Sequence, residues 1–214
     1  MRSFFYKTGI IAILLFILTW ICALTYCNAV SEDISQSFLR LHVIANSNSI
    51  EDQNLKYKVR DNIIKYMNTQ CTNINTKKEA LEIAKKNKDE LYNIAKQTIE
   101  ENGYLYDVKI NIGNFNFPTK QYGDIKLPAG FYDAIRIEIG NSQGQNWWCV
   151  MFPPLCFVDV SSGIVPDESK DTLKTSLNNE EEYLLLNEEK TTDIKVKFKL
   201  LEFFQNIKIE TAKK

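Results

Sequence analysis

The chain has 214 residues, enough for one domain or two small ones, and is 44% hydrophobic, 25% charged and 12% aromatic, a globular rather than disordered balance. Lys and Arg total 26 against 27 Asp and Glu, a formal net charge of −1, so no overall basic field draws the chain to nucleic acid. His42 is the single histidine, which excludes a multi-histidine metal site and any histidine-dependent triad that does not use it.

Arg2 and Lys7 precede an uncharged apolar run from Gly9 to Tyr26, and the first acid is Glu32. That is the pattern of an export segment, and the run is just long enough to span a bilayer. Cys27-Asn28-Ala29 offers small residues for cleavage after Ala29, so residues 1–30 read as a signal peptide or a retained membrane anchor. Tyr26 stands where a lipoprotein signal needs a small residue before Cys27, which argues against lipidation. The positive start stays in the cytoplasm, so Ser31 onward is expected outside. Loss of residues 1–29 leaves 24 basic residues of the 26, against 27 acids, a net of −3.

Ser31–Gln36 reads as a polar lead-in. Phe38–Ile44 reads as a strand, with Leu39, Leu41 and Val43 on one face and Phe38, Arg40, His42 and Ile44 on the other. Ser49 is placed to cap a helix carrying Leu55, Val59, Ile63 and Met67 as one apolar stripe. Thr76 and Glu79 form a capping box for a second helix, which Gly103 should stop. From Tyr104 the period changes to two. Strands are expected from Val108 to Phe117, Phe131 to Ile139 and Trp147 to Phe152, with a loop over Tyr122–Gly130, joined as an antiparallel meander. The fold class is therefore α+β, with two amphipathic helices packed on a mostly antiparallel sheet of about four strands. Residues 31–158 form this domain. Residues 159–189, with nine acids and two lysines, read as a mobile acidic loop. Residues 190–214 reverse the sign, and Val196, Leu200, Phe203, Phe204 and Ile207 favour a helix there, although Ile194, Val196, Phe198 and Leu200 alternate as a strand would.

The densest constellation is Asn146–Phe157, in which Cys149 and Cys156 flank Pro153-Pro154. Three readings stay open: a disulfide in an oxidising exterior, two buried reduced thiols, or a nucleophile paired with His42. Trp147 and Trp148 must point to opposite faces of a regular strand, which offers one of them as an interface anchor. No Ser-His-Asp spacing, zinc pattern or Gly-rich phosphate loop occurs.

Arg40–Ser47, Glu51–Gln53 and Lys58–Asp61, then Pro128-Ala129-Gly130 with Tyr132, and Asn146–Asp159, resemble the stage II sporulation protein R family. The tail is similar more weakly, in Val196–Leu200 and Glu202. The resemblance implies a non-enzymatic signalling protein of endospore formation, exported from the forespore into the space between forespore and mother cell. Its implied partner is a membrane-embedded aspartic protease of the mother cell, the sporulation sigma-E factor-processing peptidase. It implies no cofactor, no metal and no catalytic residue. Arg40, His42, Trp147 and Trp148, the polar and aromatic residues of the two longest blocks, are the expected partner-binding surface.

Overall fold

A computed structural model of the chain describes residues 2–72, 74–122 and 125–153, without the side chains of residues 2–6, 24 and 26–33. The acidic stretch 159–189, the basic element 190–214 and Cys156 lie outside the described residues.

Helix α1 (Arg2–Ser37) runs through the expected polar lead-in and delivers the chain straight into β1 (Leu39–Ile44). Between Ile10 and Ile21 its large apolar side chains are 44–66% exposed. Its last turns are different, because Ile34 and the following Phe38 are fully buried against the sheet. Among the described residues no helix is long and apolar enough to cross a membrane. The described side chains of α1 cover only part of the run Gly9–Tyr26.

Helix α2 (Ile50–Gln70) starts as its sequence dictates: Ser49 Oγ accepts from the Asp52 N–H at 3.1 Å, and Glu51 and Asp52 sit at the positive end of the helix dipole. Leu55, Val59, Ile63 and Met67 are all buried. The second predicted helix is two: α3 (Lys77–Lys86), opened by the Thr76–Glu79 capping box, and α4 (Lys88–Glu101). Asn87 makes the break. Its backbone N–H and its Nδ2 both donate to the Ile83 carbonyl, at 3.0 and 2.8 Å, so its side chain competes with the helical ladder. The Tyr66 hydroxyl donates to Asn87 Oδ1 at 3.0 Å and ties the break to α2. Gly103, at φ +81°, ends α4 in the left-handed conformation that favours glycine.

Strands β2 (Val108–Phe117), β5 (Gly130–Ile139) and β6 (Asn146–Phe152) follow. The predicted loop between the first two folds into a small hairpin, β3 (Lys120–Tyr122) and β4 (Ile125–Leu127), with Ile125 and Leu127 fully buried. The main sheet has the order β2-β5-β1-β6, with β1 parallel to β5 and antiparallel to β6. The expected meander is thus corrected: β5 and β6 are sequence neighbours that do not pair. All six residues of β1 are buried, and only a central strand hides both of its faces. The connection from β5 to β6 steps over β1, a displacement of two strand spacings or roughly 10 Å, short for six residues.

The sheet is covered on both sides. Leu39, Leu41, Val43, Ile135, Ile137 and Cys149 face α2, α3 and α4 in the larger core. Phe117, Tyr132, Ala134 and Val150 face the other way, under Ile34, Phe38, Ile125 and Leu127. The odd and even residues of β2 divide between them: Val108 and Ile110 enter the first core, Phe117 the second.

Candidate functional site

Arg40 and His42 share the second face of β1, as their alternation requires, but neither is at the surface. Arg40 is 0% exposed and His42 5%. An exposed Arg40–His42 surface is therefore corrected. A strand in mid-sheet has no solvent side when the hairpin, the end of α1 and a set of aromatic rings close over it.

The Arg40 guanidinium lies in an aromatic cage. Its carbon is 4.2 Å from the centre of the Phe117 ring, 4.8 Å from Tyr132 and 5.7 Å from Tyr122. These ring faces attract a cation. Nη2 donates to the Tyr122 hydroxyl, which in turn donates to the Trp148 carbonyl at 3.2 Å. Nε and Nη1, both buried, meet no acceptor among the described residues. Tyr132 donates to the Pro128 carbonyl at 2.8 Å, and its burial pushes the phenol well above its usual range. Tyr132, held by the Pro128 carbonyl, is therefore one wall of the cage.

His42 stacks on Trp148 at 3.6 Å between ring centres and meets the edge of Phe117 at 6.0 Å. Its Nε2 is 2.7 Å from Asn146 Oδ1, an acceptor that assigns the ring proton to Nε2. Burial lowers its pKa to about 4; the Asn146 bond opposes the shift, and the charges of Arg136 and Arg40 reinforce it. The ring is neutral at neutral pH and its donor is occupied, an arrangement that fixes a ring rather than one that moves protons.

Trp147 and Trp148 do point to opposite faces. Both are half-buried. Trp147 packs edge-on to Tyr57 at 5.4 Å and under the Arg60 guanidinium at 4.3 Å. Tyr57 and Arg60 lie on α2, and neither was legible as a site residue; Lys58–Asp61 in the sequence carried the family resemblance but no sign of a contact with Trp147. Cys149 is a buried free cysteine paired across the ladder with Leu41, in the first core. His42 is on the other side of the sheet, so the structure does not bring Cys149 and His42 together. Cys156, the other half of the expected disulfide, lies outside the described residues.

The remaining motif residues form a hydrogen-bonded lattice at the end of β1. Asn46 Nδ2 and Ser47 Oγ donate to Asp52 Oδ2 at 2.8 and 2.6 Å, and Gln53 Nε2 donates to the Ser47 carbonyl at 2.8 Å. Desolvation raises the Asp52 pKa, but the bonds from Ser47, Asn46 and Tyr106 outweigh it and hold the carboxyl low. Asn46 Oδ1 accepts from the Asn141 N–H at 2.9 Å, and the Asn46 and Ala45 carbonyls accept from Gln143 and Gly144 at 3.1 and 2.9 Å. Buried Lys56 donates to Gln53 Oε1 at 2.5 Å and the Gln145 carbonyl at 3.2 Å. These residues hold the connection that lets β6 reach the far side of β1. No group of three or more His, Cys, Asp or Glu able to hold a metal occurs among the described residues.

The architecture is an α+β domain, a four-stranded mixed sheet under three helices, continuous with an apolar N-terminal helix. The family model described as stage II sporulation protein R (spore_II_R) matches residues 35–162. A stage II sporulation protein R of Bacillus subtilis (strain 168) is 37% identical over 189 residues, covering 81% of this chain and 83% of the relative. No solved structure matches. The chain belongs to the stage II sporulation protein R family, and its role is in sporulation.

Proposed function

We propose that the chain is an exported signalling protein of endospore formation. It leaves the forespore, acts in the space between forespore and mother cell, and activates a membrane-embedded aspartic protease of the mother cell that processes the pro-sigma-E factor. Family membership supports the setting. The single observation that carries export is α1. Its side chains between Ile10 and Ile21 are apolar and 44–66% exposed, a surface that calls for a bilayer or an export channel rather than water. A hydrolase that pairs Cys149 with His42 is disfavoured, because the buried neutral His42 and Cys149 occupy opposite faces of one sheet; Cys156, the other cysteine of that alternative, lies outside the described residues. In this proposal Trp147 and Trp148 supply the contact, and Arg40 and His42 act from beneath by fixing the Trp148 ring. Such a ligand activates only through unequal affinity for the inactive and active forms of the protease.

The test is co-expression of the chain, the protease and the pro-sigma factor in a non-sporulating cell. The full chain should produce cleavage, and the chain without residues 1–29 should not. Trp148→Ala should accumulate normally yet reduce cleavage by about tenfold or more, as loss of an interface anchor does. Equal cleavage by the signal-deleted chain, or cleavage without the protease, overturns the reading.

A further inference from the structure

We propose that the open half of the sheet's second face binds a carboxylate-bearing segment of the protease, with Arg136 as the contact for the acid and Trp148 as the apolar anchor. The inference rests on the proposed function and names the chemistry of its partner.

Cross-strand register orders this face in rows. Gly113, Ala134, Arg40 and Val150 form one row, and Asn111, Arg136, His42 and Trp148 form the next towards the Asn46–Asp52 lattice. Lys109, Glu138, Ile44 and Asn146 lie beyond them. The hairpin and the end of α1 close over the row of Arg40, where Ala134, Arg40 and Val150 are all fully buried. In the rows beyond it, Lys109, Asn111 and Asn146 are exposed, and Arg136, Glu138 and Trp148 are half-buried. The result is a polar shelf with His42 and Ile44 as its floor.

The charge on this face is one-sided. The four strands of the sheet place the cations Arg40, Lys109 and Arg136 on it and a single acid, Glu138. The other acid of these strands, Asp133, pairs with Lys77. Arg136 Nη2 meets Glu138 Oε1 at 2.7 Å, and its guanidinium carbon is 5.6 Å from the centre of the Phe115 ring. Its buried Nε meets no acceptor among the described residues, and neither do Nε and Nη1 of Arg40 in the row behind. A guanidinium stays charged under all physiological conditions, and a carboxylate is the group that matches its fork of donors. The Arg136 side chain is 34% exposed, so an incoming acid can reach it.

Trp148 completes the shelf. Its ring is held flat on His42 at 3.6 Å between centres, a rigid apolar surface that costs little entropy to use. Arg136 and Trp148 lie on the strands flanking β1, two strand spacings or roughly 10 Å apart, a span that about three residues of an extended segment cover. The shelf thus fits an acidic side chain and an apolar one on the same segment. Glu138 favours such a segment over a phosphate-rich surface, because it repels a dense anionic layer while leaving Arg136 able to take one carboxylate.

The experiment measures binding of the full chain, in detergent micelles, to the detergent-solubilised protease at increasing sodium chloride. Arg136→Gln should weaken binding by about tenfold or more and flatten its salt dependence, and Arg136→Lys, which keeps the charge, should fall between. Glu138→Gln, which releases Arg136 from its internal acid, should strengthen binding by about threefold. Lys86→Gln, the loss of an equal charge at the end of α3, should change it by under about twofold. Urea midpoints establish that each variant folds. Should Arg136→Gln not fold, Glu138→Gln and Lys109→Gln decide, the first by strengthening binding and the second by weakening it. Unchanged binding by folded Arg136→Gln, unchanged or weaker binding by Glu138→Gln, or an equal loss from Lys86→Gln overturns the inference and leaves the proposed function standing. Competition by phosphatidylglycerol added to the micelles, lost in Arg136→Gln, assigns the shelf to lipid and overturns it too. A wild-type chain that does not bind the protease overturns both readings.

Discussion

At the scale of single residues, His42 is the side chain whose position changes its chemistry most. It titrates near 6.5 in an unfolded chain and near 4 when folded, chiefly because burial penalises the imidazolium. Between those values the unfolded chain binds more protons. The stability contributed by neutral His42 is thus complete above about 6.5 and is lost as pH falls through about 4. Denaturation followed from pH 7 to pH 4 should show stability falling with pH. His42→Gln, which keeps a donor for Asn146 without titrating there, should remove the part of that slope due to this residue. The alternation that pairs Arg40 with His42 was readable in the sequence. Their burial was not, because Phe117, Tyr122, Tyr132 and Trp148 come from distant segments.

At the scale of elements, caps and stripes behave locally and were legible: Ser49, Thr76, Glu79 and Gly103 occupy the positions their chemistry prefers. Asn87 was missed because the apolar spacing runs on through it from Ala84 to Leu91. The decisive connection is the loop from β5 to β6. A Cβ on Gly144 would lie 2.2 Å from the Ser47 carbonyl oxygen and 2.8 Å from Ala45 Cβ, and backbone cannot yield to it. Gly144→Ala should therefore destabilise the domain by about 1–3 kcal/mol. Gly113→Ala, on β2 with its nearest atom at 3.9 Å, is the matched control and should cost far less in the same urea titration.

At the scale of the whole molecule, α1 has two parts. The large apolar side chains between Ile10 and Ile21 are 44–66% exposed, whereas Ile34 plugs the second core beside Phe38. Cleavage after Ala29 would leave that plug in place. A chain beginning at Val30 should keep the cooperative unfolding of the domain. One beginning after Phe38 should lose about 2–5 kcal/mol for each large apolar group removed from the core. Near-ultraviolet circular dichroism and urea midpoints of the two truncations separate these outcomes.

The order of hydrophobic and polar residues alone determined the faces of β1, the helix starts and the α+β class, since each depends on periodicity or on a few adjacent residues. Two long, specific blocks of sequence were enough to place the family. Only the tertiary structure decided that β1 runs between β5 and β6, that the sheet is mixed, and that Arg40 and His42 are interior. Strand order and burial depend on which distant faces close on one another, and the Asn46–Asp52 lattice that fixes this assembles only when β1, α2 and the β5–β6 loop meet.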